Sequence, residues 1–215
     1  MKDFKINNKG TTQLFHNPVL ESFTRTNFLV PVVFYYAVAV SSLTVAFLYT
    51  ELHFVRVAWI FPLGMVAFSL VEYLIHRFLF HFNATTENQL QLQYSMHGVH
   101  HEFPRDKDRL VMPPVISILL SVLFFFLYRF LMGDYGLLFF AGFVSGYSTY
   151  LIIHYAVHAL KPPKNVLKYL WRHHSHHHYA SVHSAYSVSF PLWDILFHTM
   201  PIAKGEERKQ IESKL

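Results

Sequence analysis

The chain has 215 residues, of which 53% are hydrophobic and only 14% are charged, and its formal net charge is +5. Its mean hydropathy is positive, which is unusual for a soluble domain and indicates an integral membrane protein. Cysteine is absent, so disulfides and thiolate ligands are excluded, and any bound metal must be held by nitrogen or oxygen atoms. No nucleic-acid-binding motif is recognisable, and we expect no nucleic acid partner.

Four apolar stretches follow a polar leader of residues 1–26. They run over residues 28–50, 57–80, 113–132 and 136–160, and each is close to the ~20 residues that a helix needs to cross a hydrocarbon core. A soluble helical protein would show a polar stripe at helical spacing, but residues 115–127 contain only Ser117 and Ser121 as polar residues. We therefore predict an all-α integral membrane protein with four transmembrane helices. Residues 27–200 form one membrane domain and residues 201–215 a charged tail.

The basic residues predict the orientation of these helices. The segments that join the first helix to the second and the third to the fourth contain only Arg56 and Arg129. The other sixteen of the eighteen Lys and Arg residues lie in the leader, at or after the end of the second helix, or beyond the fourth. By the positive-inside rule, both termini and the histidine-rich loops are cytoplasmic. The positive net charge then fits contact with anionic lipid head groups.

Ten of the sixteen histidines fall into pairs or triplets with the spacing of metal ligands. They are His76 and His81; His97, His100 and His101; His154 and His158; and His174, His177 and His178. Imidazole is the commonest protein ligand for borderline metals, and two H-x-x-H-H triplets beside two pairs supply enough nitrogen atoms for two ions. Because the second and fourth helices end on the same side, the pattern predicts one cytoplasmic site with two metal ions.

The spacing also predicts how the histidines are shared. His154 and His158 are four residues apart and lie on one helical face, which suits two ligands of one ion. His76 and His81 are five apart and would be turned by about 140° in a regular α-helix, so we expect the second helix to break or end between them. In each triplet the first two histidines share a face, whereas the third points elsewhere and is expected to reach a second ion.

The remaining six histidines lack this spacing and are interpreted as ordinary polar residues: His16, His53, His173, His176, His183 and His198. A single histidine at a helix end is more often an interfacial residue than a ligand, so the prediction depends on the joint pattern. The run HHSHHH is also compatible with a purification tag or a low-complexity metal tract. Its internal position and its similarity to HGVHH argue against both.

Three other polar side chains are candidate site residues. Glu72 lies four residues before His76, and an ionised carboxylate inside a membrane needs a partner. As an acceptor for an imidazole N–H it would fix a ligand ring, with a helix-to-helix hydrogen bond as the alternative. Tyr147 and Tyr150, just before His154, are candidate catalytic residues that line a substrate route or hydrogen-bond an oxygen on the metal. Packing at helical spacing explains them equally well.

Four segments together resemble the fatty acid hydroxylase and sterol desaturase superfamily. They are HRFLFH from His76, MHGVHHEFPRDKDRLVMPP from Met96, SGYSTYLIIHYAVH from Ser145 and WRHHSHHHYASVHSAYSVSFPLWD from Trp171. Within the second segment, DKDRLVMPP is most similar to the fatty acid 2-hydroxylases that act on sphingolipid acyl chains. The resemblance implies a four-helix membrane anchor with a cytosolic helical cap that holds a dimetal centre. It also implies that the ten spaced histidines are the ligands, and that His173 and His176 are either spare or lie outside the ligands as supporting residues.

The resemblance implies a diiron monooxygenase that hydroxylates carbon 2 of a long acyl chain with O₂ and two electrons. Iron is expected for catalysis, because zinc suits the same ligands but cannot change its oxidation state. The eukaryotic enzymes usually carry a fused cytochrome b5 domain, which the leader is too short to contain. We therefore expect a separate electron donor similar to cytochrome b5 or a ferredoxin. The expected membrane is the endoplasmic reticulum in a eukaryote and the inner membrane in a bacterium.

An acyl substrate would enter sideways from the bilayer. Aromatic residues that either line its tail or simply face lipid are Phe124, Phe125, Phe126, Phe139, Phe140 and Phe143. Arg105, Lys107 and Arg109 follow the first triplet and either contact lipid head groups or anchor the loop at the membrane surface.

Two alternatives remain. A carotenoid or sterol hydroxylase or desaturase of the same superfamily would carry the same ligands around a different cavity. A histidine-rich metal transporter or sensor belongs to another class of protein. Transport, however, predicts polar ligands at the membrane midplane of several helices, whereas these histidines gather at one side.

Overall fold

The computed structural model describes residues 5–51 and 53–201 of the chain. These residues form helices and turns and contain no strand, which confirms the predicted all-α fold. In chain order the α-helices are α1 Pro18–Phe23, α2 Leu29–Tyr49, α3 Phe54–Leu74, α4 Glu87–Gln93, α5 Val99–Glu102, α6 Pro114–Met132, α7 Tyr135–Ala159, α8 Lys168–Tyr179 and α9 Leu192–Leu196. Of the predicted tail, only Pro201 lies within the described residues.

Three short segments of other helical types connect these elements. A π-helix, Ile75–Phe80, continues α3, and a second π-helix, Tyr94–Gly98, joins α4 to α5. A 3₁₀-helix, Lys107–Arg109, precedes α6. We call the two segments outside the long helices, residues 81–113 and 160–201, the cap.

Within the described part of the chain, four helices are long and apolar enough to cross a membrane. They are α2, α3 with its π extension, α6 and α7, and they match the four stretches predicted from the sequence. The protein is therefore an integral membrane protein. Large apolar side chains on the outer faces of α2, α3 and α6, such as Val33, Leu63 and Phe130, are exposed, as expected for surfaces that contact lipid tails rather than water.

Local sequence signals set several helix ends. Asn17 accepts hydrogen bonds from the first turn of α1, where Pro18 stands at the first helical position. Thr86 and Gln89 form a capping box at the start of α4. Between α6 and α7 the chain turns at Gly133, whose φ of 56° suits glycine.

Helix α7 is the centre of the bundle. Its most apolar stretch is 72% buried, against 17% for those of α3 and α6. The predicted phenylalanines divide accordingly: Phe140 and Phe143 of α7 are buried in the helix core, whereas Phe126 of α6 is 64% exposed. These two buried rings pack against the other membrane helices, Phe140 against Phe125 of α6 and Phe143 against Phe124 of α6 and Phe68 of α3.

Two glycines let the backbones of α3 and α7 touch. A Cβ atom at Gly64 would lie 2.1 Å from the carbonyl oxygen of Phe139, and one at Gly142 would lie 2.0 Å from that of Phe61. Such close approach through small residues is a common way for membrane helices to pack, since lipid gives no hydrophobic drive for their association. The contact fixes the position of α7 relative to α3.

We predict that Gly142→Ala destabilises the protein. In an open helix the change would add about 1 kcal/mol of helix propensity, but here the methyl group meets backbone that cannot move aside. Overpacking of this kind costs about 1–3 kcal/mol, so the net effect is a loss. Thermal unfolding in detergent should show a lower melting temperature for Gly142→Ala, and the lipid-facing change Leu63→Ala should leave it nearly unchanged. An unchanged melting temperature in Gly142→Ala would contradict the close packing of α3 and α7.

Candidate metal centre

The ten predicted histidines meet at one end of the helix bundle. They come from the π extension of α3 and the residue after it, the second π-helix with α5, the last turns of α7, and α8. All but His158, which is half-buried, are buried. Within the described residues, nine of them form two groups in which the ring nitrogens lie within 4.8 Å of one another.

The first group contains five histidines: His76, His81, His97, His101 and His177. Their Nε2 atoms form a chain of short contacts. His97 Nε2 lies 3.1 Å from those of His76 and His101, and His81 Nε2 lies 3.2 Å from that of His76 and 3.1 Å from that of His177. Five nitrogen atoms therefore point at one small volume.

The second group contains His100, His154, His158 and His174. The Nε2 atoms of His154 and His100 are 3.1 Å apart, and those of His158 and His174 are 2.8 Å apart. His154 and His158 lie in the same group, as their spacing predicts. Four imidazoles thus surround a second volume beside the first.

His178 lies beside both groups but belongs to neither. Its ring centroid is 4.3 Å from that of His101 and 4.6 Å from those of His158 and His174. Both of its ring nitrogens are buried without a hydrogen-bond partner in the described structure. The tenth predicted ligand is therefore at the site, and its role as a ligand stays a prediction.

The π-helix explains how His76 and His81 meet. The predicted end of the helix between them is correct, since it stops at Phe80. The turn before that end is wider than expected: the backbone N–H of His81 donates to the carbonyl of His76, five residues earlier, at 3.2 Å. A regular α-helix would turn the two side chains apart, whereas this π turn places them on one side.

The predicted sharing within the triplets is wrong. His97 shares its group with the third member of its triplet, His101, while the second member, His100, lies in the other group. His97 and His101 are four residues apart across the junction of a π-helix and α5, which puts them on one face. In the other triplet, His174 and His177 also belong to different groups.

The histidine groups are suited to a metal ion. Burial, followed by the charge of neighbouring imidazoles, holds the pKa of His97, His100 and His177 well below the usual value, so their rings are neutral and offer lone pairs. Metal–nitrogen bonds of about 2.0–2.1 Å in tetrahedral or octahedral geometry separate ligand nitrogens by roughly 2.9–3.4 Å. The Nε2 contacts of the first group, 3.1–3.2 Å, fall in this range.

Backbone carbonyls fix three of the rings by accepting a hydrogen bond from Nδ1, the nitrogen that faces away from the group. The Nδ1–H of His76 donates to Tyr186 O at 2.5 Å, and that of His177 donates to Ser184 O at 2.7 Å. The Nδ1–H of His154 donates to Leu110 O at 2.8 Å. Each bond leaves Nε2 unprotonated and directed at its group, the arrangement usual for metal-bound histidine.

Glu72 has different partners from those predicted. Its Oε1 accepts hydrogen bonds from the backbone N–H groups of Val188 at 2.6 Å and Ser189 at 3.2 Å, and its Oε2 accepts one from the Ser189 hydroxyl. The carboxylate therefore holds the loop that follows α8, and that loop, rather than Glu72, supplies the acceptors for His76 and His177. These contacts join residues 116 and 117 positions apart in the chain, so no residue spacing within α3 reveals them.

Sequence reasoning also missed Asp194. This residue is fully buried, accepts a hydrogen bond from His173 Nε2 at 3.0 Å, and so gives His173 a role outside the ligand groups. The signal that singled out Glu72 was available here too, because Asp194 is the lone carboxylate in the apolar run from Pro191 to Phe197.

The two candidate tyrosines precede His154 on α7, one and two turns further into the membrane-spanning part of the helix. The ring of Tyr150 stacks on that of His154, with centroids 5.4 Å apart and an interplanar angle of 10°. Tyr147 packs against Tyr35 and Phe68 of the helix core at 4.9 and 5.5 Å. Packing is thus what the structure shows for Tyr147, whereas Tyr150 directly adjoins a candidate ligand.

The three basic residues after the first triplet differ in their exposure. Arg105 and Lys107 are exposed, as a role at the membrane surface requires. The side chain of Arg109 is only 3% exposed and its Nη2 donates to Glu21 Oε1 at 2.5 Å. Arg109 is therefore a structural residue, not a head-group contact, and its ion pair ties the leader to the turn that precedes Leu110.

Other contacts hold the leader against the cap. The backbone N–H of Asn7 donates to Glu102 O at 2.7 Å, and that of Thr26 donates to Asp108 O at 2.7 Å. The hydroxyl of Tyr179, next to His178, donates to Asn8 Oδ1 at 2.8 Å. The leader thus lies beside both histidine triplets.

The fold and the site together define an all-helical membrane protein with a histidine-rich metal-binding site. The fatty acid hydroxylase family model matches residues 61–199, so the chain belongs to this family. A solved structure described as full-length scs7p, with only the hydroxylase domain visible, has a TM-score of 0.82 and 32% identity, covering 90% of this chain and 74% of that one.

Curated relatives support the same family. The fatty acid 2-hydroxylase of Homo sapiens is 39% identical over 155 residues, covering 70% of this chain and 42% of the relative. The ceramide very long chain fatty acid hydroxylase of Schizosaccharomyces pombe is 34% identical, covering 88% and 55%. A dihydroceramide fatty acyl 2-hydroxylase of Arabidopsis thaliana is 33% identical, covering 74% and 67%. The chain thus spans less than half the length of the human relative.

We predict that His97→Ala lowers the amount of transition metal that copurifies with the protein. His97 lies at the centre of the first group, and its loss leaves a gap among the Nε2 atoms. Metal per chain is measured by inductively coupled plasma mass spectrometry, with His183→Ala as the matched control because His183 is exposed. Equal metal content in His97→Ala and the wild type would contradict the assignment of the first group.

We predict that Glu21→Gln destabilises the cap. The change leaves the buried guanidinium of Arg109 with only the more distant carboxylate of Asp106, whose Oδ2 lies 3.9 Å from Nε. The loss of the closer charge costs about 1–3 kcal/mol. Thermal unfolding in detergent should therefore begin at a lower temperature. The control is Glu87→Gln, at an exposed position of α4, which should behave like the wild type. If the two variants unfold alike, the Glu21–Arg109 pair does not stabilise the cap.

Proposed function

We propose that the protein is a membrane-bound diiron monooxygenase that hydroxylates a long acyl chain at carbon 2. The acyl chain belongs to a fatty acid or to a sphingolipid such as ceramide. The observation that carries the proposal is the convergence of two imidazole groups in a chain 39% identical to a human fatty acid 2-hydroxylase. The names of the plant and yeast relatives, which refer to dihydroceramide and ceramide, support the substrate class.

The position of the site along the membrane helices also supports hydroxylation at carbon 2. The first group includes His76, near the end of the membrane-spanning part of α3, and the second includes His154 and His158, in the last turns of α7. Carbon 2 of an acyl chain adjoins the polar carbonyl and therefore lies near the membrane surface. A site at the end of the spans suits this carbon better than one deep in the bilayer. The same position argues against a transporter, which needs ligands near the midplane.

The two groups of the described chain support two metal ions, with one group for each. We propose iron, because an all-nitrogen site suits it and hydroxylation of an unactivated C–H bond needs a redox metal. Bound iron would supply the activation of dioxygen that no side chain can provide. Zinc would fit the same nitrogen atoms but would leave the protein inactive as an oxygenase.

The residues of the chain hold and shield this chemistry. Backbone carbonyls of Tyr186, Ser184 and Leu110 orient three of the imidazoles. We propose that Tyr150, whose ring stacks on that of His154, borders the route of the acyl chain from the bilayer to the second group. The leader, bound to the cap, helps to keep water from the histidines.

The reaction must be balanced by an external reductant. One O₂, two electrons and two protons convert a C–H bond to C–OH and release one water. We propose that a protein similar to cytochrome b5 or a ferredoxin delivers the electrons at the cytoplasmic side. Sixteen of the eighteen Lys and Arg residues lie in the leader, at or after the end of the second membrane helix, or beyond the fourth, which supports this side under the positive-inside rule. The membrane is the endoplasmic reticulum or a bacterial inner membrane, and residues 27–200 form the catalytic domain.

We predict that expression of the protein creates 2-hydroxylated acyl chains in a host that lacks them. The host also expresses a compatible electron donor and grows under ¹⁸O₂, and its lipids are analysed by mass spectrometry with fragmentation that locates the hydroxyl group. Wild type and the His183→Ala control should yield acyl chains with one ¹⁸O atom at carbon 2. His97→Ala should yield none.

Two results would overturn the proposal. If the purified protein carries iron but the new oxygen appears in carotenoids or sterols, the substrate is wrong. If the protein carries only zinc and oxygenates no lipid even after loading with iron, the oxygenase assignment itself is wrong.

A further inference from the structure

A short loop after α8 provides the acceptors for two histidines of the first group. In this loop Ser184 O accepts the Nδ1–H of His177 at 2.7 Å, and Tyr186 O accepts the Nδ1–H of His76 at 2.5 Å. The two histidines come from opposite parts of the chain, one from α8 and one from the extension of α3. The orientation of both rings therefore depends on the conformation of a few loop residues.

The loop has a conformation that its sequence does not favour. Ala185, between the two acceptor residues, has a φ of 57°, in the left-handed region that side chains with a Cβ rarely adopt. Its N–H donates to Thr199 O at 2.8 Å, and Ala185 is fully buried. Such a conformation persists only where the surrounding structure enforces it.

Asp194 is one of the groups that enforce it, beside Glu72, which binds the N–H groups of Val188 and Ser189. Its Oδ1 accepts the N–H of Tyr186 at 2.9 Å and the hydroxyl of Thr199 at 2.7 Å. Its Oδ2 accepts the N–H of Ser187 at 2.8 Å and the Nε2–H of His173 at 3.0 Å. The side chain is fully buried, and all four contacts are donors, which is the environment that an ionised carboxylate requires.

We propose that Asp194 is a positioning residue for the metal of the first group. It does not touch the ligand rings. Instead, it binds the two peptide groups that follow Ala185 directly, and it holds the peptide group before Ala185 through Thr199. The carbonyls of Ser184 and Tyr186 then hold His177 and His76 with their Nε2 atoms directed at the metal. The second group has a separate support, since His154 donates to Leu110 O. Loss of Asp194 should therefore weaken one metal site and spare the other.

This inference depends on the proposed metal binding but not on the proposed substrate. Asp194→Asn is the direct test, because it keeps the shape of the side chain but replaces one oxygen with an N–H₂ group. Either orientation of the amide then faces at least one backbone N–H, so a hydrogen bond to Tyr186 or Ser187 is lost. Asp108→Asn is the matched control, in the same cap but exposed.

The effect on each group is measured by making the change in a variant that lacks one histidine of the other group. In a His154→Ala background the first group is intact, and in a His97→Ala background the second group is intact. Metal-stripped protein in detergent is titrated with Co²⁺ alone, and the visible absorption of the bound ion reports both affinity and ligand geometry. Changes to residues that support a ligand typically reduce metal affinity 10- to 100-fold.

We expect Asp194→Asn to reduce Co²⁺ affinity by about this factor in the His154→Ala background and to change its visible spectrum. In the His97→Ala background the affinity should change less than about twofold, and Asp108→Asn should have no effect in either. If Asp194→Asn does not fold, as judged by circular dichroism, Thr199→Val replaces it. That variant removes one donor to the carboxylate and keeps the backbone bond to Ala185, so it should give a smaller loss of the same selectivity.

The inference fails if affinity is unchanged in both backgrounds, or if both groups lose affinity equally, which would indicate only a general structural role. The outcome is distinct from that of the proposed function. A wild type that binds Co²⁺ but hydroxylates no lipid would contradict the monooxygenase while leaving the role of Asp194 intact. A wild type that hydroxylates lipid, together with an Asp194→Asn variant of normal affinity, would contradict only the role of Asp194.

Discussion

The crowding of neutral imidazoles at one end of the bundle is the constraint on which the rest of the structure depends. Rings that face one another with unprotonated Nε2 atoms repel unless a cation lies between them, and a hydrogen bond from the other nitrogen helps a ring to keep that state. His76, His154 and His177 obtain this bond from backbone carbonyls. One role of the cap is therefore to bring carbonyl oxygens to the outer edges of these three rings.

Two carboxylates support this arrangement without a hydrogen bond to any histidine of the two groups. Glu72 and Asp194 bind the peptide N–H groups of the loop that follows α8, and the carbonyls of the same loop face the histidines. A carboxylate bonded directly to a ligand would make that imidazole more basic and would place negative charge beside the metal. Holding the loop instead uses the buried charge to fix geometry, because a buried carboxylate is stable only when donors surround it. Arg109 and Glu21 play a similar part for the turn that precedes Leu110.

The sequence predicts the helices and the members of the site better than it predicts their sharing. Apolar length alone located the four spans, because a bilayer demands a continuous run of apolar residues, and the spacing of the histidines identified a set that does meet. The meeting of His76 with His81 and the division of the first triplet depend on two π-helices, which shift the residues after them by one position. No local pattern in HRFLFH or YSMHG signals that shift. The partners of Glu72 and Arg109 were also beyond the reach of the sequence, since each residue joins segments far apart in the chain.

Helix packing inside the membrane then sets the distances at the site. The first group takes two histidines from the end of α3, and the second takes two from the end of α7. Their separation depends on how closely these helices approach, and the backbone contact at Gly64 and Gly142 leaves them little freedom to slide. An ion coordinated by nitrogen tolerates errors of only about 0.2 Å in its bonds. The glycines in the lipid-embedded core therefore contribute to the metal site at its surface, although they lie several turns away from any histidine.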